Sequence, residues 1–377
     1  MGLFAKRPSA IPSDLATWPD TDNSRLIEAT SISVEKLNRC MPAEWYPQTM
    51  VQLTWPHENT DWAPHLKEVT DCYIRLAYEI SLTERVLIVH PDTLALSRLL
   101  RERLPQKCLD QITLFQCPTN DTWARDHGFL TVIDEGEYHL LDFCFNGWGN
   151  KFHSSLDNAI NKRLYDAHIL KGIYEAHLDF VLEGGSIESD GMGTLLTTSK
   201  CLLNPNRNPN LGKADIQMLL QKYLRSKRVL WLDYGYLEGD DTDSHIDTLA
   251  RLCPNDTITY VSCQDKSDPH FRELKLMEDQ LRSFQTDKGT PYRLLPLPMA
   301  PLLRDEDGER LPSTYANYLV INKRVLMPSY GDPESDQLAA SVLQKAFPTY
   351  GVTSIPCSVL LFQHGSLHCS TMQSYCS

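Results

Sequence analysis

The chain has 377 residues, 42% hydrophobic and 23% charged, an ordinary globular composition for one large domain or two medium ones. Its 36 Lys and Arg against 49 Asp and Glu give a net charge of −13, which argues against a nucleic-acid partner, because phosphate binding needs a basic face. No stretch approaches the roughly 20 apolar residues of a membrane helix, and the eleven cysteines contain no CxxC pair, so neither a membrane span nor a zinc ribbon is expected.

Residues 1–37 are polar and Pro-containing and read as an extension. No Pro- or Gly-rich linker divides 38–377, which reads as one domain. The amino terminus shows no apolar run or cleavage pattern, and Lys6 breaks a myristoylation pattern. The cytoplasm is the expected compartment, with most thiols buried and reduced. From Met41 onward, apolar runs alternate with amphipathic ones. Strands are expected at 85–90, 111–117, 129–133, 138–143, 180–187, 194–198, 229–233, 257–263, 292–297, 318–328 and 352–357. Helical spacing marks 214–225, 270–284 and 336–347. Hairpin turns are expected at Glu188-Ser189-Asp190-Gly191 and at Asn322-Lys323. The mixed α/β order recurs at roughly 60–70 residues.

Five segments concentrate polar residues beside Gly or Trp: MPAEWYPQ (41–48), NDTWARDHG (120–128), EGGSIESDG (183–191), GDDTDSHIDTLAR (239–251) and HGSLHCSTMQ (364–373). Together they hold one thiol, several carboxylates and several histidines. A thiolate attacks electron-poor carbon and needs a histidine to manage protons. Carboxylates would repel the oxyanion formed from an ordinary ester or amide. They suit a guanidinium, a planar cation with five N–H donors and no acceptor.

These blocks, in this order, resemble agmatine deiminases and the bacterial-type peptidylarginine deiminases of the guanidine-modifying (pentein) superfamily. The resemblance covers roughly residues 38–373 and includes LTWPH (53–57), WARDHG (123–128), EGGSIESDGMGTLLTTSKCLLNPNRNP (183–209), DDTDSHIDTLAR (240–251) and GSLHCSTMQ (365–373). It implies a five-bladed α/β propeller of repeated modules around a central site. It also implies roles: Cys369 as nucleophile, His245 as general acid/base, Asp126 and Asp247 as the carboxylates that bind the guanidinium, and Glu183 as the group that orients and charges the histidine. The implied reaction passes through a covalent thiouronium and needs no metal or organic cofactor. A small cationic guanidine is the implied partner, and homo-oligomers are compatible with the family.

The leading expectation is hydrolysis of agmatine to N-carbamoylputrescine and ammonia, a step of putrescine biosynthesis. The alternatives are a peptidylarginine deiminase, a catalytically silent guanidine-binding relative, and an amidinotransferase, which shares the chemistry but uses an acceptor amine. Plainer readings stand beside the site. Cys369 is otherwise one more buried thiol, and His245 with Asp247 a surface turn. Asp126 is otherwise a structural partner of Arg125, and Glu183 the start of a tight turn. Trp123 either lines the site or fills the core. His127, His364 and His368 match no zinc spacing. Gln52, Phe129 and Gln363-His364 depart from the family pattern, and all are expected near the distal end of the substrate.

Overall fold

Short runs of aliphatic and β-branched residues form the strands of the fold, and amphipathic segments return the chain between them. The computed structural model describes residues 39–376; the extension expected over 1–37 lies outside the described residues. In chain order the first strands are β1 (Arg39–Cys40), β2 (Met50–Thr54), β3 (Arg85–His90), β4 (Ile112–Gln116), β5 (Leu130–Asp134), β6 (Glu137–Cys144) and β7 (Ile173–Val181). Then come β8 (Glu188–Ser189), β9 (Thr194–Thr198), β10 (Arg228–Leu232), β11 (Ala250–Cys253), β12 (Thr257–Ser262) and β13 (Arg293–Pro298). The last are β14 (Leu319–Ile321), β15 (Arg324–Ser329), β16 (Gly351–Pro356) and β17 (Thr371–Ser374). The longer helices are α1 (Leu66–Ser81), α2 (Thr93–Arg103), α3 (Ile160–Asp166), α4 (Lys213–Tyr223), α5 (Phe271–Ser283) and α6 (Pro333–Ala346).

The strands form five separate sheets, two of four strands and three of three. Every sheet contains the same trio: an antiparallel pair, then a parallel neighbour reached through a helix. Strands β8 and β9 are antiparallel, and α4 leads to β10, parallel to β9. The same pattern holds for β11, β12, α5 and β13, for β14, β15, α6 and β16, and for β5, β6, α3 and β7. In the remaining sheet the antiparallel partner of β2 is β17, from the far end of the chain, and α1 leads from β2 to β3. The carboxyl-terminal strand therefore completes the first unit.

Parallel pairs are stable only when both faces are covered. In β3, all five residues Val86 to His90 are buried, and β12 is buried throughout. The helices that cover them bury single stripes: in α1, Val69, Tyr73, Leu76 and Ile80 recur at helical spacing and are fully buried. Helix α2 starts where the Asp92 side chain accepts from the Ala95 N–H, and α6 starts with Pro333 followed by Glu334 and Asp336 in its first turn.

Most expected elements are present, with three differences. The run 318–328 is the hairpin β14–β15, turning at Asn322-Lys323 as expected, with Lys323 at φ 59°. The segment 180–187 is not a strand. The strand there is the more polar 173–181, and the Gly-Gly pair bends the chain into a 3-10 turn over Gly184–Ser186. The following turn lies later than expected, since Glu188 and Ser189 are paired strand residues and Gly191 and Gly193 carry the positive φ. Helices α1 and α2 have no counterpart among the expected elements.

Candidate active site

The repeated unit explains where the polar blocks fall. Asp126 lies on a one-turn helix, Ala124–His127, just before β5. Glu183 begins the 3-10 turn that leads into β8. His245 caps the 3-10 turn Ile246–Thr248 that leads into β11, and Asp247 lies within it. Cys369 lies two residues before β17. Each group precedes the first strand of a different trio. The fifth trio supplies Asn317, two residues before β14, which the sequence reading missed. Its equivalent position in the repeat was the available signal.

These loops bring the expected residues together. The Cys369 Sγ lies 3.9 Å from Asp247 Oδ2 and 3.4 Å from Asn317 Oδ1. The His245 Nδ1 is 3.7 Å from Asp126 Oδ1, and its Nε2 is 3.8 Å from Glu183 Oε2. A Cβ added to Gly185 would lie 2.6 Å from His245 Nδ1, 2.8 Å from Asp126 Oδ1 and 3.2 Å from Asp247 Oδ2. Only glycine lets these three groups converge there. Asp126 accepts from the Gly185 N–H at 3.0 Å and from Trp148 Nε1–H at 2.9 Å. Trp148, also missed in the sequence, sits at φ 55° between Gly147 and Gly149, both at positive φ. Glu183 accepts from Arg207 Nε at 2.9 and 2.8 Å, and Arg207 also donates to Asp243 and to the Thr242 carbonyl.

Burial sets the electrostatics. It raises the Cys369 thiol well above its ordinary range, and the charges of Asp247 and Asp126 add to the effect. Burial opposes charge on His245, but Asp126, Cys201 and Glu183 outweigh it, and the imidazole stays protonated well above the usual range. Burial also raises Asp126, against the pull of His245. For Asp247 burial is outweighed by the hydrogen bond from His368, and for Glu183 by His245 and Arg207, so both carboxyls lie below their ordinary values.

A cleft of about 360 Å³ opens onto this cluster. Cys369 and Asp126 line it, with Trp123, Trp148, Asp121 and Asp241 among its walls. His245, Asp247 and Glu183 lie behind that floor, fully buried. Trp123 does both things expected of it: it lines the cleft and packs in the main core beside Trp62, with ring centroids 5.9 Å apart. The departures from the family pattern divide. Gln363 and His364 line the cleft, whereas Gln52 and Phe129 do not. Those two line a separate pocket of about 260 Å³ beside β2 and β17.

Among the described residues, two clusters have ligand atoms within 4.8 Å of one another: Glu183, Cys201 and His245, and Glu44, Glu188 and His368. In each, an arginine already supplies the cation. Arg207 bonds Glu183, and Arg251 bonds both Glu44 and Glu188. Neither donor set suits a metal ion with a guanidinium in that position.

The α/β trios hold a buried cluster of thiol, imidazole and carboxylates centred on Cys369. The model of the Porphyromonas-type peptidyl-arginine deiminase family matches residues 40–374, and the chain belongs to that family. A relative from Marinomonas sp., named "Putative agmatine deiminase", is 34% identical over 356 residues, covering 88% of this chain and 93% of its own. Among solved structures, the "Putative Arginine Deiminase" of Porphyromonas gingivalis is 47% identical with a TM-score of 0.84, covering 90% of this chain and 98% of its own. The substrate-bound agmatine deiminase of C. jejuni is 38% identical with a TM-score of 0.82, covering 89% and 96%.

Proposed function

We propose that the chain is an agmatine deiminase, a hydrolase of the C–N bond of a linear amidine. The observation that carries this reading is the charge pattern along one cleft. Asp126 lines its floor with the thiol, Asp247 lies just behind that floor with Oδ2 3.9 Å from the sulfur, and Asp121 and Asp241 stand in its walls. Agmatine carries a guanidinium at one end and an ammonium at the other, and finds a carboxylate pair for each. Arginine or a peptidylarginine carries a carboxylate or a backbone carbonyl where the ammonium would be. Among the described residues, no Arg or Lys lines the cleft to receive either.

The proposed roles follow from position. Asp126 and Asp247 hold the guanidinium N–H groups and fix its carbon beside Cys369. With His245 already protonated, the cationic substrate stabilises the thiolate, and the thiol proton leaves to solvent as substrate binds. The thiolate attacks the guanidinium carbon, the C–N bond to the departing nitrogen breaks, and His245 gives that nitrogen a proton, releasing ammonia. Neutral His245 then takes a proton from water, which attacks the thiouronium carbon. The C–S bond breaks, leaving N-carbamoylputrescine. Glu183, anchored by Arg207, supports the charge on His245. Trp123 and Trp148 pack against the aliphatic part.

We also propose that the five trios close into a five-bladed propeller around this site, as a single domain over 38–377. The pairing of β17 with β2 supports ring closure. A cytoplasmic location is supported by the free thiols, eleven of them, among the described residues. An ammonia assay with agmatine, free arginine and an arginine peptide, blanked with Cys369→Ala, tests the reading. Release from agmatine at least about a hundredfold faster (in kcat/KM) than from the other two is expected, a difference of roughly 3 kcal/mol. No release from agmatine between about pH 6 and 10 sinks it.

A further inference from the structure

The opening block around Glu44 and the histidine next to Cys369 take no part in the steps above, yet they are joined directly to them. The His368 Nδ1 lies 2.7 Å from Asp247 Oδ2, and its Nε2 lies 2.7 Å from Glu44 Oε2. Each ring nitrogen thus faces a carboxylate oxygen, and the imidazole bridges the two acids. Arg251 faces the same junction, 2.9 Å from Glu44 Oε2 and 3.0 Å from His368 Nε2, and Arg125 lies 3.8 Å from that carboxylate. The Val320 N–H fixes the other Glu44 oxygen at 2.6 Å. The backbone N–H groups of His368 and Cys369 both donate to Asn317 Oδ1, at 2.9 and 3.3 Å.

The effect falls on one carboxylate. With Oδ2 of Asp247 taken by His368, its Oδ1 is buried and has no hydrogen-bond partner among the described atoms. A buried acceptor left free is costly unless something is meant to occupy it. We infer that His368, anchored by Glu44, is a positioning residue that fixes the rotation of Asp247 so that Oδ1 faces the guanidinium. This rests on the proposed role of Asp247. It gives the dipeptide His368-Cys369 two coupled tasks: the thiol attacks, and the preceding imidazole orients the carboxylate that holds the target. It also gives the opening block a reason to be polar, although Glu44 lies far from the nucleophile in sequence.

Two substitutions separate the two bonds of the imidazole. In His368→Asn the amide nitrogen falls near the Nδ1 position and keeps the bond to Asp247. In His368→Gln it falls near the Nε2 position and keeps the bond to Glu44. Partners behind a primary ligand typically matter by about 10- to 100-fold. The Gln variant should therefore lose about a hundredfold in kcat/KM for agmatine, while the Asn variant stays within about tenfold of wild type. Labelling of Cys369 by chloroacetamidine, whose amidinium needs the same carboxylate, should slow in the same order. Thermal unfolding of the two variants should fall by similar amounts, because each loses one buried bond. Equal losses of activity and labelling in both variants would overturn the inference and leave His368 a packing residue. If wild type is labelled in this order but releases no ammonia from agmatine, the positioning role stands and the agmatine reading fails.

Discussion

Asp121 and Asp241 line the cleft and are the side chains proposed to set substrate choice. Burial pushes Asp121 up to about 7, with Asp61 adding to it. Burial likewise pushes Asp241 up to about 6, helped by the charge of Asp240. Both carboxyls are thus largely neutral at pH 5 and ionise across neutrality. The distal ammonium of agmatine, like a lysine, stays charged up to about pH 10. The ammonium binds the ionised carboxylates, so KM for agmatine should fall as pH rises from 5 to 8 and then level. Asp241→Asn should raise KM about tenfold at pH 8, in line with the roughly 1.5–3 kcal/mol of a charged hydrogen bond, and flatten this dependence. A KM that rises over that range, or an unchanged KM in the variant, would contradict the assignment. The grouping of Cys369, His245, Asp247, Asp126 and Glu183 was legible in the sequence because all five lie in dense polar blocks. Asn317 and Trp148 were not. Asn317 is a lone amide in STYANYLV, and Trp148 reaches Asp126 only because three neighbouring residues also adopt positive φ.

Between elements, Arg251 is the clearest junction. It starts on β11, bonds Glu188 of β8 and Glu44 of the opening block, and donates to the carbonyls of Ala316 and Tyr318 just ahead of β14. Three trios are therefore tied through one guanidinium that is 1% exposed. Removing one partner of a buried ionic network leaves the others uncompensated, at a cost of about 3–5 kcal/mol. Arg251→Met should lower the unfolding free energy by that amount in a urea titration; a loss below about 1 kcal/mol would mean the network is not a structural tie. Strand and helix legibility followed the same physics. Buried strands such as β3 and β12 announced themselves as apolar runs, whereas β2, β11 and β17, equally buried but carrying Gln52, Arg251 and Gln373, did not. Strand β7 did not, because Glu175, His177 and Asp179 break up its apolar residues and only Phe180 and Val181 at its end are buried, just ahead of Gly184-Gly185. Helices α1 and α2 interleave charged residues with their buried stripes, which hides the periodicity in a run-based reading.

For the molecule as a whole, repetition converts five loops into one site. Each trio begins at the same kind of position, and the groups just ahead of those first strands are Asp126, Glu183, His245 with Asp247, Asn317 and Cys369. Cys369, the proposed nucleophile, enters last, just ahead of the strand that pairs with β2. The sequence showed the alternation of strands and helices, but the long-range pairing of β17 with β2 has no local signal. A net charge of −13 also favours the approach of a small cation over long range. The central claim is that a cation held between carboxylates is attacked by one particular sulfur among eleven. Mass spectrometry of the enzyme quenched during turnover of agmatine tests it most directly. An adduct on the Cys369 peptide that forms and decays with ammonia release, and is absent from Cys369→Ala, is the predicted result. Steady ammonia release by Cys369→Ala, or an adduct confined to another cysteine, would contradict it.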